Sequence, residues 1–330
     1  MKILVIRFTS LGDLVTLEPT FRILRHFFKD AEITFLTSGV GKGLYADTDY
    51  FDTYVVHHGY IATIGTLRGE TFDLVINLQC NKPSHLIAAF LNKRELVNKS
   101  YTPMQSLLRL KAHSKNYSEL FEACGIEKSR IDDYLGPTGR LPIALPVGES
   151  DLEVFDGTRP VVAISTGSSE RWLSKRWGAE RFAELAGKLL DGGSDVVLVG
   201  TALELGDAET ILQRFEGRIK SFVDRTSLTE LKYVLSRADL FIGNDSGPSH
   251  IAAAVGTNTV SIFGSTDVVH CVKHMPYRGN HICLKPSDDV TCHPCYKPKC
   301  PTQMECMASI GVDRVYDAAM RLLEKGESDG

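Results

Sequence analysis

The stretch ADLFIGNDSGPSHIAAAVGTNTVSIFG, residues 238–264, decides the fold. Leu240–Ile242 and Thr259–Phe263 are short runs rich in β-branched and aromatic residues, so both read as strands. Between them, Gly247 and Pro248 open an Ala-rich helix that stops at Gly256. Proline suits a first helical turn because its missing N–H would be unpaired there anyway. Glycine suits the left-handed residue just past a helix end. A helix that starts directly after a strand aims free N–H groups at the carboxyl edge of the sheet, where anions such as a diphosphate bind. The same residues also fit an ordinary βαβ unit with Asp245 or Ser246 as a plain N-cap.

Working outward, the same alternation recurs along the chain. Lys2–Arg7, Glu32–Thr37, Thr53–Val56 and Phe72–Asn77 read as strands. Leu14, Leu17, Phe21, Leu24 and Phe28 mark one face of a first helix, which Pro19 should kink near Val15. Ser84–Leu91 and Gln105–Cys124 read as further helices. Between Gly136 and Pro160 the pattern breaks into a Pro- and Gly-rich linker with one short strand, Leu141–Leu145. It resumes with strands at Val161–Ser165, Asp195–Val199 and Ile219–Val223, separated by helices, and ends in a helix over Val312–Glu324. Strands alternating with helices predict parallel, doubly wound sheets. The expected organisation is two Rossmann-like α/β domains, 1–150 and 151–330, facing each other across a ligand cleft.

Composition narrows the function. At 330 residues and 43% hydrophobic content the chain can bury two cores, and a net charge of −4 argues against a nucleic-acid protein. The opening MKILVIRF has too short an apolar run for a signal peptide and no stretch is apolar enough to span a bilayer, so the cytoplasm is the expected compartment.

Three loops should meet the carboxyl edges. In TSLGDL, Gly12 permits a close turn and Asp13 arrives at a helix start, either as a cap or as a general base. The G-x-G-x-x-G dinucleotide fingerprint is absent. STGSSERWLSKRWGAERF, residues 165–182, carries Arg171, Lys175 and Arg176 ahead of a helix, a placement that makes sense around an anion. In GNDSGPSH, the Asp245 carboxylate would repel a diphosphate and should turn into the loop as a cap. His250 either touches a phosphate or packs in the first turn.

RFTSLGDLVTLEPT, SKRWGAERFAELA followed by VVLVGTALE, and GNDSGPSHIAAAVG with SIFGSTD lie in an order and spacing that resembles the family 9 glycosyltransferases, the ADP-heptose:lipopolysaccharide heptosyltransferases. The resemblance covers nearly the whole chain. It implies a GT-B fold with the acceptor site in the first domain and the nucleotide-sugar site in the second, and inverting transfer that needs no metal. By position, Asp13 matches the catalytic base, with Ser10 and Gly12 beside it toward the acceptor. Lys175 matches the lysine that stabilises the departing diphosphate. Thr166, Arg176, Glu204, Asp245, Ser246, Gly247 and His250 fall at donor-binding positions. The implied partners are a nucleotide-diphosphate sugar and an anionic glycolipid at the inner membrane face, with peripheral attachment there. Lys93, Arg94, Lys99, Arg109, Lys111 and Lys115, mixed with Met104, Leu107, Leu108 and Leu110, suit such a surface, as do Arg22, Arg25, Phe27, Phe28 and Lys29. Solvated helix faces explain the same pattern. A nucleotide-sugar epimerase or hydrolase and a non-catalytic glycolipid- or nucleotide-sugar-binding protein are the rival functions.

The remaining signal is Cys292-x2-Cys295-x4-Cys300-x5-Cys306. So compact a loop buries little apolar surface, and a structural Zn2+ held by these four thiolates would offset its ordering entropy. Two disulfides, an iron–sulfur cluster or free thiols remain alternatives. Cys80, Cys124, Cys271 and Cys283 read as scattered core thiols.

Overall fold

The computed structural model describes residues 1–98, 117–155 and 157–327. Two compact units divide between Ile143 and Ala144, inside the stretch read as a linker. Leu141–Leu145 does not form a strand: Ile143 alone makes an isolated bridge, because Pro142 and Pro146 lack the N–H that a ladder needs.

The first unit holds β1 (Lys2–Ile6), α1 (Leu11–Thr16), α2 (Glu18–Phe27), β2 (Glu32–Thr37), α3 (Gly39–Tyr45), β3 (Thr53–Val56), α4 (Tyr60–Leu67), β4 (Thr71–Asn77), α5 (Lys82–Phe90), β5 (Asn92–Asn98), α6 (Tyr117–Ala123) and α7 (Lys128–Leu135). Its sheet runs β3-β2-β1-β4-β5, parallel throughout. The central strands are continuous apolar runs because both sheet faces are covered, as Ile3, Leu4, Val5 and Ile6 show by being fully buried. Pro19 does more than kink the first helix. The chain breaks at Leu17, and Pro19 sits in the opening turn of α2, where its missing donor does no harm.

The second unit contains β6 (Val161–Ser165), α8 (Ala179–Asp191), β7 (Asp195–Leu198), α9 (Leu205–Leu212), β8 (Ile219–Ser221), α10 (Leu228–Ser236), β9 (Leu240–Asn244), α11 (Gly247–Ala254), β10 (Asn258–Ile262), β11 (His281–Leu284), α12 (Glu305–Ala308) and α13 (Val312–Glu327). Its parallel sheet runs β11-β10-β9-β6-β7-β8. Trp177 and Phe182, the latter on α8, join the core under this sheet, and Val315, Ala319 and Leu322 of α13 pack into the same cluster. Each unit is therefore a doubly wound, Rossmann-like domain. In each, the strand order reverses once: between β1 and β4 in the first, between β6 and β9 in the second. Crevices at such reversals, outside the strands' carboxyl ends, are where open α/β sheets bind ligands.

Two expectations are corrected here. Cys271 and Cys283 are not scattered thiols but form a disulfide between the loop after β10 and β11. Arg22 and Arg25 do not present a cationic surface. Arg22 pairs with the buried Glu18 and donates to Pro142 O, and Arg25 pairs with Asp52 at 2.7 Å. Phe27 packs against Tyr134. Of the residues from 92 to 117 read as lipid-facing, Lys93 and Arg94 lie on β5, while Lys99, Met104, Leu107, Leu108, Arg109, Leu110, Lys111 and Lys115 lie outside the described residues. So does the start of the helix expected from Gln105. Among the described residues no helix is long and apolar enough to cross a membrane.

Candidate functional site

In the first unit the reversal point is built by the loops after β1 and β4. Gln79 Oε1 accepts from Phe8 N at 2.9 Å and Thr9 N at 3.3 Å, which joins the two loops. Ser10 takes the N-cap position of α1, and Asp13 Oδ2 accepts back from Ser10 N at 3.3 Å and Ser10 Oγ at 3.2 Å. The capping role of Asp13 is thus real, though at the third helical position. The same oxygen meets Arg7 Nη2 at 2.9 Å. Arg7 is buried and donates a second bond to Leu78 O, whereas the Asp13 side chain is 36% exposed. The carboxylate is thus tied to an anchored guanidinium while part of its surface stays open to solvent.

In the second unit the site lies between the loops after β6, β9 and β10. Lys175 Nζ is 2.5 Å from Asp245 Oδ2, with both side chains largely buried. Thr266 Oγ1 donates to that same oxygen at 2.7 Å. Asp245 therefore does turn inward, but to hold the lysine and not to cap α11. The N-cap position belongs to Ser246, whose hydroxyl makes no capping bond and is buried without a hydrogen-bond partner. Lys175 also lies 5.0 Å from the centre of the Trp172 ring. Behind this group, Asn244 Nδ2 donates to Thr166 O at 2.6 Å and Gly167 O at 3.1 Å, while its Oδ1 accepts from Trp177 N. Asn244 so pins the β6 loop to the β9 loop. Gly247 opens α11, whose first-turn N–H groups have no intrahelical partner.

Glu204 is buried and its Oε2 accepts from Thr201 N and Thr201 Oγ1, both at 2.8 Å. Arg176 approaches Oε1 at 3.6 Å. Gly167 leaves room for it, because a Cβ there would stand 2.4 Å from the carboxylate and force Glu204 to move. Two of the three loop cations, Lys175 and Arg176, are thus already balanced by carboxylates, and Arg171 is exposed. His250 Nδ1 lies 2.9 Å from the hydroxyl of Tyr277, whose phenol burial pushes well above its usual range.

Cys292, Cys295, Cys300 and Cys306 line one cavity of about 440 Å³, together with Ser174 and Ser265. All four are unpaired thiols. Burial pushes the Cys306 thiol up, whereas a hydrogen bond with Thr302 lowers Cys300. The tetrahedral thiolate site expected from the spacing is not assembled: among the described residues, no three metal-ligating side chains stand close enough to hold an ion.

Sequence reasoning missed Arg7, Asn244, Thr266, Ser174 and Ser265. Arg7 and Asn244 carried a usable signal, since each is a polar residue closing an otherwise apolar buried strand.

Comparison with known proteins bears on this geometry. The chain is 25% identical to lipooligosaccharide heptosyltransferase 2 of Campylobacter jejuni serotype O:2, over 98% of this chain and 99% of that protein. Its fold matches the crystal structure of a family 9 glycosyl transferase from Veillonella parvula with a TM-score of 0.76 at 19% identity, covering 98% and 97% of the two chains. The E. coli ADP-heptose LPS heptosyltransferase II superposes with a TM-score of 0.73 at 19% identity, covering 99% and 100%. These are GT-B structures, in keeping with two Rossmann-like domains. The model of glycosyltransferase family 9 (heptosyltransferase) matches residues 61–305, so the chain belongs to that family and is a glycosyltransferase.

Proposed function

We propose that this enzyme moves a heptose from ADP-heptose onto the anionic core of a lipopolysaccharide or lipooligosaccharide, with inversion and without a catalytic metal. The observation that carries the reading is the Lys175–Asp245–Thr266 group beside the buried, unpartnered Ser246 hydroxyl at the head of α11. Such a group favours a diphosphate: the helix start supplies backbone donors, and Lys175 stabilises charge developing on the leaving group. The match to an ADP-heptose transferase of E. coli supports the donor. The second unit is then the donor domain, with Thr166, Arg176, Glu204, Asp245, Ser246, Gly247 and His250 around the nucleotide. The first unit is the acceptor domain, where Asp13, flanked by Ser10 and Gly12, removes the proton from the acceptor hydroxyl as that oxygen attacks the anomeric carbon. That hydroxyl becomes acidic as its bond to carbon forms, so a weakly basic carboxylate suffices.

The test is ADP release from ADP-heptose with and without a lipid core acceptor, with the product's anomeric configuration read by NMR. Release that requires the acceptor, inverts the configuration and persists in EDTA fits the proposal. Release without acceptor would make the protein a hydrolase or epimerase, and binding without release at any acceptor a non-catalytic binder.

Two finer readings go with it. Cys292, Cys295, Cys300 and Cys306 stand too far apart here to hold an ion, but they share one cavity wall, which supports a structural ion that draws them together on binding. Protein purified under reducing conditions should then carry about one zinc per chain, and chelation should lower its melting temperature before it affects donor binding. Attachment to the inner membrane face is supported by α4 and α5, which carry no acidic residue and expose Ile61 and Phe90 by 90% and 64%. Ile61→Glu with Phe90→Glu should reduce sedimentation with anionic vesicles and leave turnover on a detergent-dispersed acceptor unchanged.

A further inference from the structure

Lys175 sits at the end of a single 3-10 turn, Leu173–Lys175, which is too short to hold a lysine in place by its own hydrogen bonds. The segment from Cys295 to Pro298 supplies the missing support. Ser174 N donates to Pro298 O at 3.1 Å. Ser174 Oγ lies 2.5 Å from Lys297 O and 2.9 Å from Ser265 Oγ. A hydroxyl carries one proton and a carbonyl can only accept. Ser174 therefore donates to Lys297, and Ser265 donates to Ser174. Ser265 in turn offers its carbonyl to Cys295 N at 3.1 Å and Tyr296 N at 2.8 Å. Next along the chain, Gly264 O accepts from His293 Nδ1 at 2.6 Å. Both serines are almost wholly buried, and both line the cavity ringed by the four thiols.

The chain neighbours of these serines are the two residues that converge on Asp245 Oδ2: Lys175 follows Ser174, and Thr266 follows Ser265. We infer that Ser174 and Ser265 are positioning residues that clamp the two donor loops onto the cysteine segment and thereby set Lys175 and Thr266 for the diphosphate. The inference rests on the donor-site reading above and adds to it the part that holds the lysine in place. Neither serine touches the nucleotide. Buried hydroxyls in a satisfied network fix geometry more than they add attraction, so losing one should appear as a loss of phosphate recognition specifically.

Binding of ADP and of adenosine to the full-length protein by calorimetry tests this. Ser174→Ala and Ser265→Ala should each weaken ADP about tenfold and change adenosine less than twofold. On a Lys175→Ala background, Ser174→Ala should add less than a twofold loss, because the residue it positions is gone. Should the alanine variants fail to fold, the near-isosteric Ser174→Cys and Ser265→Cys read the same split. Equal losses for ADP and adenosine, or the full tenfold loss persisting without Lys175, would reduce the serines to ordinary packing. Silent serines beside a Lys175→Ala variant that loses ADP overturn the clamp alone. A Lys175→Ala variant that binds ADP normally overturns the donor-site reading and the clamp with it.

Discussion

The two units place an ion pair at the same point of the same topology and treat it in opposite ways. At the first reversal, the cation is anchored and the carboxylate stays partly open to solvent: Arg7 is buried against Leu78 O, while Asp13 is 36% exposed. At the second, both partners are withdrawn, with Lys175 and Asp245 at 17% and 11% exposure and a threonine closing over the carboxylate. A group that must exchange a proton with a substrate needs access, and a cation that must meet developing phosphate charge works best where water is scarce. The difference in burial follows the difference in the proposed tasks.

The largest effect should come from the exposed side of this contrast. Asp13→Ala should lower turnover about 100-fold or more while ADP affinity and the circular-dichroism spectrum stay the same. A variant with near-normal turnover would reduce Asp13 to its place in the capping box of α1, and the two ion pairs would lose their functional contrast.

Next comes the buried side. Lys175→Ala should weaken ADP by about 1.5–3 kcal/mol, the range for a hydrogen bond to a charged group, and leave adenosine nearly untouched. The variant strands the Asp245 carboxylate, so a lower melting temperature should accompany the loss. Comparable losses for both ligands would place the lysine away from the phosphates.

How much of this was legible beforehand follows from how far apart the interacting residues are. Buried parallel strands are apolar along their whole length, so β1, β2, β6 and β9 stand out, and the loops bearing Asp13, Lys175 and Asp245 follow from them. β5 was invisible because it is an edge strand, NKRELVN, most of whose residues stay exposed and need no apolar pattern. α4 was missed because YIATIGTL has no charged face to contrast with its buried one. The serine clamp could not be read at all. Ser174 meets Ser265 at a separation of 91 residues and Lys297 at 123, and a serine in a loop announces no partner. Arg7 was the near miss, since a guanidinium ending a fully apolar strand requires a counter-charge and Asp13 lies six residues on.

The smallest effect concerns stability, and it asks whether the two units also differ in their response to acid. Burial lowers His57 in the first unit and His281 in the second, so both histidines fold in the neutral form. His57 stacks on Phe8, and His281 donates from Nε2 to Arg278 O while Nδ1 faces Thr259 Oγ1. Their contribution is fully present above the unfolded histidine range, near pH 6.5, and is lost as pH falls through the depressed folded values. Asp52 behaves alike in a lower window. Burial raises it, but bonds from Ile33 N and Arg25 outweigh that and hold the acid below 3.8. Its contribution is present above that value and disappears on further acidification. At 47% exposure the Arg25–Asp52 pair is screened by solvent and worth about 0.5 kcal/mol or less. Chemical denaturation midpoints should therefore fall in two separate steps. The first, between pH 7 and 5, should flatten in a His57→Gln, His281→Gln double variant. The second, below pH 4, should shrink in Asp52→Asn, and the part removed should map to the first unit when followed by hydrogen exchange, since Glu230, Asp288 and Glu305 are also held down in the second. If Asp52→Asn altered the upper step, or the histidine variants left it intact, the acid response would have to be assigned to other groups, and the contrast between the units would rest on their ion pairs alone.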